Sequence, residues 1–132
     1  MARPASEHPT EMELQILKIL WQQSPLFVRD VRKALADAGR TIAHTSVITA
    51  LNTMVEKKYV KRTKHGKSYL FAPRETREQI SEGLLGDVVR RVFDGSPSAV
   101  VMSLFNCSDV DQAELKELRR LINQRMKQLS DE

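Results

Sequence analysis

Apolar positions recur every three or four residues through most of the chain, and the runs break at Pro, Gly and short polar stretches. Thr10-Glu11-Met12-Glu13 reads as a capping box, in which the Thr10 hydroxyl accepts from the third helical amide and Glu13 reaches back to the Thr10 amide. Leu14, Leu17 and Trp21 follow at helical spacing, with Ile16 and Leu20 beside them and Met12 and Ile19 widening the stripe. This predicts a well-buried first helix ending near Gln23, ahead of Ser24-Pro25. Val28, Val31 and Leu35 form a shorter second stripe with Arg29, Arg32 and Lys33 on its polar face and Gly39 as its stop. A third helix opens near Ala43–His44. With successive residues about 100° apart, Val47, Ile48, Leu51, Met54 and Val55 share one arc, and Thr45, Ser46, Thr49 and Thr53 share the opposite one.

The period then changes from helix to strand. Tyr59–Lys64 and Ser68–Phe71 are β-leaning runs around a His65-Gly66 turn, and residues 57–67 hold six Lys/Arg and no acid. Pro73 closes this part. Arg74 to Phe93 reads as helix on Ile80, Leu84, Leu85, Val88, Val89, Val92 and Phe93, with Gly83 and Gly86 as weak points. Asp94-Gly95-Ser96-Pro97 breaks it, and Ala99 to Phe105 is a short apolar helix. Asp109 or Ser108 is the expected cap of a last helix striped by Leu115, Leu118, Ile122, Met126 and Leu129.

Three helices followed by a basic two-stranded hairpin is the order of a winged helix-turn-helix. The expected fold is mainly α: a winged helix-turn-helix of three helices and a β-hairpin wing, then a helical dimerisation region. The boundaries read as a loose arm at 1–9, a winged-helix DNA-binding domain at 10–73 and a helical dimerisation domain at 74–132. Three short apolar helices bury little alone, and a second copy would cover them. Leu84, Val88, Val92, Leu104, Leu115, Leu118 and Ile122 are the candidate dimer contacts; the competing arrangement folds these helices back on the N-terminal domain.

Charge sharpens this picture. The 132 residues carry +4, but residues 1–73 hold 12 Lys/Arg against 6 Asp/Glu, while residues 74–132 hold 9 against 11. A basic half suits a polyanion, most simply double-stranded DNA. The uncharged hydroxyl face of the third helix suits close approach to a groove floor, where solvated helix faces usually carry Glu and Lys. Arg40, Thr41, His44, Thr45, Ser46, Thr49, Thr53, Lys58, Arg62, Lys64 and Lys67 are therefore the candidate DNA-binding residues. Arg3 in the arm and the three histidines have blander readings: a frayed terminus, a helix start and a turn.

Other chemistry is missing. Phosphate loops, GxGxxG and GxSxG do not occur, and His8, His44, His65 and the single Cys107 lack metal-ligand spacing, so no catalytic site, metal or cofactor is expected. One cysteine cannot make an internal disulfide, and the longest apolar run is Ala99 to Met102, so the expectation is a reduced, soluble, cytoplasmic protein without membrane insertion.

The chain resembles the penicillinase-repressor (BlaI/MecI/CopY) family of bacterial transcriptional regulators. The resemblance rests on Glu13-Leu14-Gln15-Ile16-Leu17-Lys18-Ile19-Leu20-Trp21, Val28-Arg29-Asp30-Val31, Ala43 through Val60, and Glu114-Leu115-Lys116-Glu117-Leu118, and covers most of residues 10–125. It implies a homodimeric repressor on a dyad operator with TACA/TGTA-like half-sites, relieved in some members when a membrane sensor protease signals. Copper-responsive members carry paired C-terminal cysteines, whereas this chain has only Cys107. Three departures stand out. Lys58 occupies a position where the family often has Gly, and Phe27 replaces a common Thr cap. Ser103-Leu104 aligns with the Asn-Phe bond cut in inducible members. Two other readings remain: a winged helix used for protein–protein contact, and a repressor whose 74–132 region encloses a small molecule.

Overall fold

The computed structural model describes residues 8–131, so the expected arm lies outside the described residues except for His8 and Pro9. The elements run α1 (Glu11–Gln22), β1 (Leu26–Phe27), α2 (Val28–Asp37), α3 (His44–Glu56), β2 (Val60–His65), β3 (Ser68–Pro73), α4 (Arg77–Arg91), α5 (Pro97–Cys107) and α6 (Gln112–Ser130). The mainly helical, winged-helix architecture is as expected. Two compact units divide between Gly86 and Asp87.

The first unit is built on the stripes read above. Ile16, Leu17 and Leu20 of α1, Val31 and Leu35 of α2, and Val47, Leu51 and Met54 of α3 are fully buried. At about 1.5–3 kcal/mol for each such side chain, this shared core dominates the stability of the unit. Tyr59, Val60 and Phe71 close it from the wing, and Ile80 from α4. Packing thus continues beyond Pro73, where the sequence suggests an end. Leu84 also packs against this core, and the Trp21 indole donates to the Glu75 carbonyl at 2.9 Å.

Local chemistry sets the helix ends. The Thr10 capping box forms as expected, with Glu13 N–H donating to Thr10 Oγ1 at 3.2 Å and Thr10 N–H to Glu13 Oε1 at 2.8 Å. Phe27 offers α2 no side-chain acceptor; instead Asp30 reaches back and accepts from the Phe27 amide at 3.3 Å. Gly39 (φ +94) ends α2 in a Schellman turn, with Arg40 N–H on the Leu35 carbonyl and Gly39 N–H on the Ala36 carbonyl. The same turn ends α3, with Tyr59 N–H on the Met54 carbonyl, but here the left-handed residue is Lys58 at φ +67.

Five expectations from sequence are corrected. The α4 helix starts at Arg77, not Arg74, because Thr76 and Gln79 make their own reciprocal cap while the Arg74 amide donates to the Tyr59 carbonyl. Pro97, not Ala99, opens α5, capped by Ser96. The cap of α6 is Asp111 rather than Asp109 or Ser108, and it accepts from Glu114 N–H at 2.9 Å. The wing is not a lone hairpin: Leu26–Phe27 pairs antiparallel with β3, giving a sheet of order β1-β3-β2. The hairpin turn is Gly66-Lys67, closed by His65↔Ser68, with Gly66 at φ +65.

In the second unit, α5 and α6 contain no buried residue among those described. Among the described residues no helix is long and apolar enough to cross a membrane.

A left-handed lysine costs about 1 kcal/mol or more, partly offset by the extra unfolded-state freedom of glycine. Lys58→Gly is therefore expected to raise unfolding stability by about 0.5–1 kcal/mol, read from urea denaturation. An unchanged or lower midpoint contradicts a strained Lys58.

Candidate nucleic-acid interface

Burial of Val47, Leu51 and Met54 fixes the roll of α3 and leaves Thr45, Ser46 and Thr49 exposed. Thr53 is half-buried. His44 opens the helix and is exposed; its N-cap, Ala43, supplies no side-chain acceptor. The Thr49 and Thr53 hydroxyls each donate to the carbonyl one turn back, Thr45 and Thr49 respectively, at 2.9 Å. What these threonines present outward is thus a methyl group and an oxygen lone pair, not a donor.

The α2–α3 turn is held by Arg32, whose Nε donates to the Ile42 carbonyl at 2.9 Å. Thr41 is exposed there. Arg40 is half-buried, and its guanidinium lies 3.7 Å from the Glu11 carboxylate. Arg32 and Lys33 line a shallow depression with Thr41 and His44, which places two further cations beside the start of α3.

The wing cations divide by environment. Lys61, Lys64 and Lys67 are exposed, and so is Lys58 in its turn after α3. Lys57 is not a free charge: its Nζ donates to both Glu13 oxygens, at 3.1 and 3.2 Å, while Glu13 is nearly fully buried. Arg62 ties the wing to α3, with Nη1 donating to Asn52 Oδ1 at 2.8 Å and its guanidinium 4.8 Å over the Tyr69 ring. His65 does more than accompany a turn, since its ring meets the Phe27 ring edge-on at 5.7 Å. Burial, then the nearby Glu13 and Glu75 carboxylates, push the Tyr59 hydroxyl above its ordinary pKa, so it stays uncharged at neutral pH.

The structure therefore gathers Thr41, His44, Thr45, Ser46 and Thr49 on or beside one helix face, and Lys64 and Lys67 at the wing. Asn52 and Tyr69 are contributors that sequence reading missed. Their only signal is that Asn52 lies seven residues past Thr45 on the same helix and that Tyr69 pairs with Lys64 across the hairpin.

Of the expected dimer contacts, Leu84 packs into the first unit, and Leu118 is half-buried. Val88, Val92, Leu104, Leu115 and Ile122 are exposed. Ser103 is half-buried and Leu104 is exposed, both within α5. Among the described residues no cluster of His, Cys, Asp and Glu is arranged to hold a metal ion.

A three-helix core presenting an uncharged helix face beside a cationic antiparallel wing defines a winged-helix, DNA-binding regulator. More particularly, the chain belongs to the penicillinase repressor family, whose model matches residues 9–124. It is similar to the transcriptional regulator BlaI of Mycobacterium tuberculosis, 29% identical over 114 residues covering 85% of this chain and 80% of the relative. The penicillinase repressor of Bacillus licheniformis is 19% identical over 115 residues, covering 87% and 89% respectively. The fold is also similar to a structure of RosR from H. salinarum, with TM-score 0.51, 14% identity, and coverage of 90% of this chain and 94% of that one.

The Arg62–Asn52 bond is exposed, so its value is small. A double-mutant cycle of Arg62→Ala and Asn52→Ala is expected to show a coupling of about 0.5 kcal/mol in unfolding free energy. Strict additivity means the wing is not tied to α3 through this pair.

Proposed function

We propose that the protein is a homodimeric repressor that occupies a two-fold DNA operator, placing α3 of each subunit in a major groove and the basic wing on flanking phosphates. The observation that carries this reading is the exposed Thr45-Ser46-Thr49 face on the helix that the wing meets through Arg62 and Asn52, with Lys64 and Lys67 exposed on that wing. With their donors engaged to the helix backbone, Thr49 and Thr53 read by methyl contact to thymine and by accepting from adenine or cytosine amines. Arg40, Thr41, His44, Lys58 and Arg62 flank this face. The dimer reading is supported by Val88, Val92, Leu104, Leu115 and Ile122, which are exposed on a chain of this size. Residues 74–132 then act as the dimerisation region, with α4 sharing its first turns with the winged helix. Relief of repression by a membrane sensor protease belongs to the family resemblance, and at Ser103-Leu104 this chain lacks the Asn-Phe bond.

The deciding experiment is fluorescence anisotropy of the chain with a duplex from its own upstream region and a scrambled duplex. If a dimer neutralises roughly eight phosphates, affinity falls by about three to five orders of magnitude between about 50 and 200 mM salt. A flat salt response sinks the reading. Lys64→Ala is expected to weaken all sequences evenly, whereas Thr49→Ala changes base preference by about 1 kcal/mol or more. The reverse pattern refutes the placement of helix and wing.

Dimerisation is tested separately by sedimentation of Ile122→Lys. The expected result is a folded monomer whose affinity for the two-fold duplex drops by about a hundredfold or more. A variant that stays dimeric removes α6 from the interface.

A further inference from the structure

We propose that the cleft between α2, α3 and the wing binds a small planar aromatic carboxylate, and that the bound acid competes with DNA. The cleft has a volume of about 450 Å³, within the range of about 300–1,000 Å³ typical of small-molecule sites. Its inner surface is apolar, formed by the half-buried Phe27, Val28 and Ile48 and the buried Phe71. Its outer surface is cationic or polar, with Arg29, Arg62, His44 and His65 all exposed. No Asp or Glu lines it.

The two guanidinium groups are already oriented. Arg29 stacks 5.1 Å over the Phe27 ring, and Arg62 is held by the Tyr69 face and by Asn52. Among the described residues neither arginine has a carboxylate within ion-pair distance. Held cations without counter-charges lose little freedom on meeting an anion and gain a charge-assisted bond. A flat apolar body lies along the wall of Phe27, Val28 and Ile48, and its carboxylate meets the arginines. A neutral aromatic leaves those charges unanswered, and a bare phosphate leaves the apolar wall wet.

Because α3 and the wing supply the walls, an acid seated there meets the elements that face DNA. That consequence rests on the proposed operator binding, but occupancy of the cleft does not, and it is measured without DNA. The full chain is titrated by calorimetry and amide NMR with naphthoate, neutral naphthamide and inorganic phosphate. Naphthoate is expected to saturate one site per chain, shifting the amides of Val28, Ile48 and Tyr69, with naphthamide and phosphate each about tenfold weaker or more. Ser68→Trp fills the cleft and abolishes binding. Arg29→Gln, a solvent-exposed change that leaves the core untouched, weakens naphthoate about tenfold. Equal binding of acid and amide, or indifference to both substitutions, overturns the site. In anisotropy, naphthoate is expected to raise the apparent Kd for duplex DNA; naphthoate bound in the cleft with an unmoved Kd overturns the competition. Absence of any sequence-selective DNA binding refutes the operator reading instead, and leaves the calorimetric result to stand or fall by itself.

Discussion

The winged helix depends on one constraint: the inner face of α3 has to be buried. Val47, Leu51 and Met54 are sealed against Ile16, Leu17 and Leu20 of α1 and Val31 and Leu35 of α2. Since each fully buried side chain is worth about 1.5–3 kcal/mol, no rotation of α3 that exposes this arc survives. The helix period then leaves Thr45, Ser46 and Thr49 no choice but to face outward. The chemistry of the outer face is free to vary because the inner face alone holds the fold. Serine and threonine there are weak helix formers, a cost the buried arc outweighs, and two of the threonines return their donors to the helix backbone.

The wing is held to this core at both of its ends. At its base, Tyr59, Val60 and Phe71 join the buried cluster, and the Arg74 amide closes on the Tyr59 carbonyl. Further out, Arg62 bridges to Asn52 on α3. The short β1 strand adds a third connection, since Leu26 and Phe27 pair with Phe71 and Leu70. The wing is therefore joined to the core, to β1 and to α3. Of its cations, Arg62 is the one this joint places against α3.

Much of this was legible because it rests on period and on local chemistry. The stripe spacing gives α1 to α3 and α6. The Thr10-Glu13 pair announces its own cap, and Gly39 and Gly66 mark turns that need positive φ. What was not legible depends on contacts distant in sequence. A two-residue strand has no period to detect, so β1 exists only because β3 lies beside it. Glu13 and Lys57 are 44 residues apart, so their pairing was hidden inside a run that looked uniformly solvated. Leu84 has the same spacing as Val88 and looked like part of the same face, yet it packs into the first unit while Val88 is exposed. Two aspartates flank Val110, and only geometry selects Asp111 as the cap.

The two halves of the chain also differ in how they use apolar residues. In the first unit most large apolar side chains lie inside, Tyr69 and Leu85 excepted, and its basic surface suits DNA. In α5 and α6 none is buried, while Met102, Ile122, Met126 and Leu129 are each more than half exposed. An 11-residue helix such as α5 is marginal in water without tertiary packing, and the 19-residue α6 leaves most of its apolar stripe uncovered. Their capping residues, Ser96 and Asp111, set where they start but contribute only about 1 kcal/mol each. The missing stabilisation has to come from covering the apolar face. In the proposed dimer a second copy does this with the same surface on both sides, and the two-fold symmetry it imposes is also the symmetry of a DNA duplex read from two adjacent grooves. In that proposed dimer, covering the C-terminal helices and reading a two-fold site use the same symmetry axis.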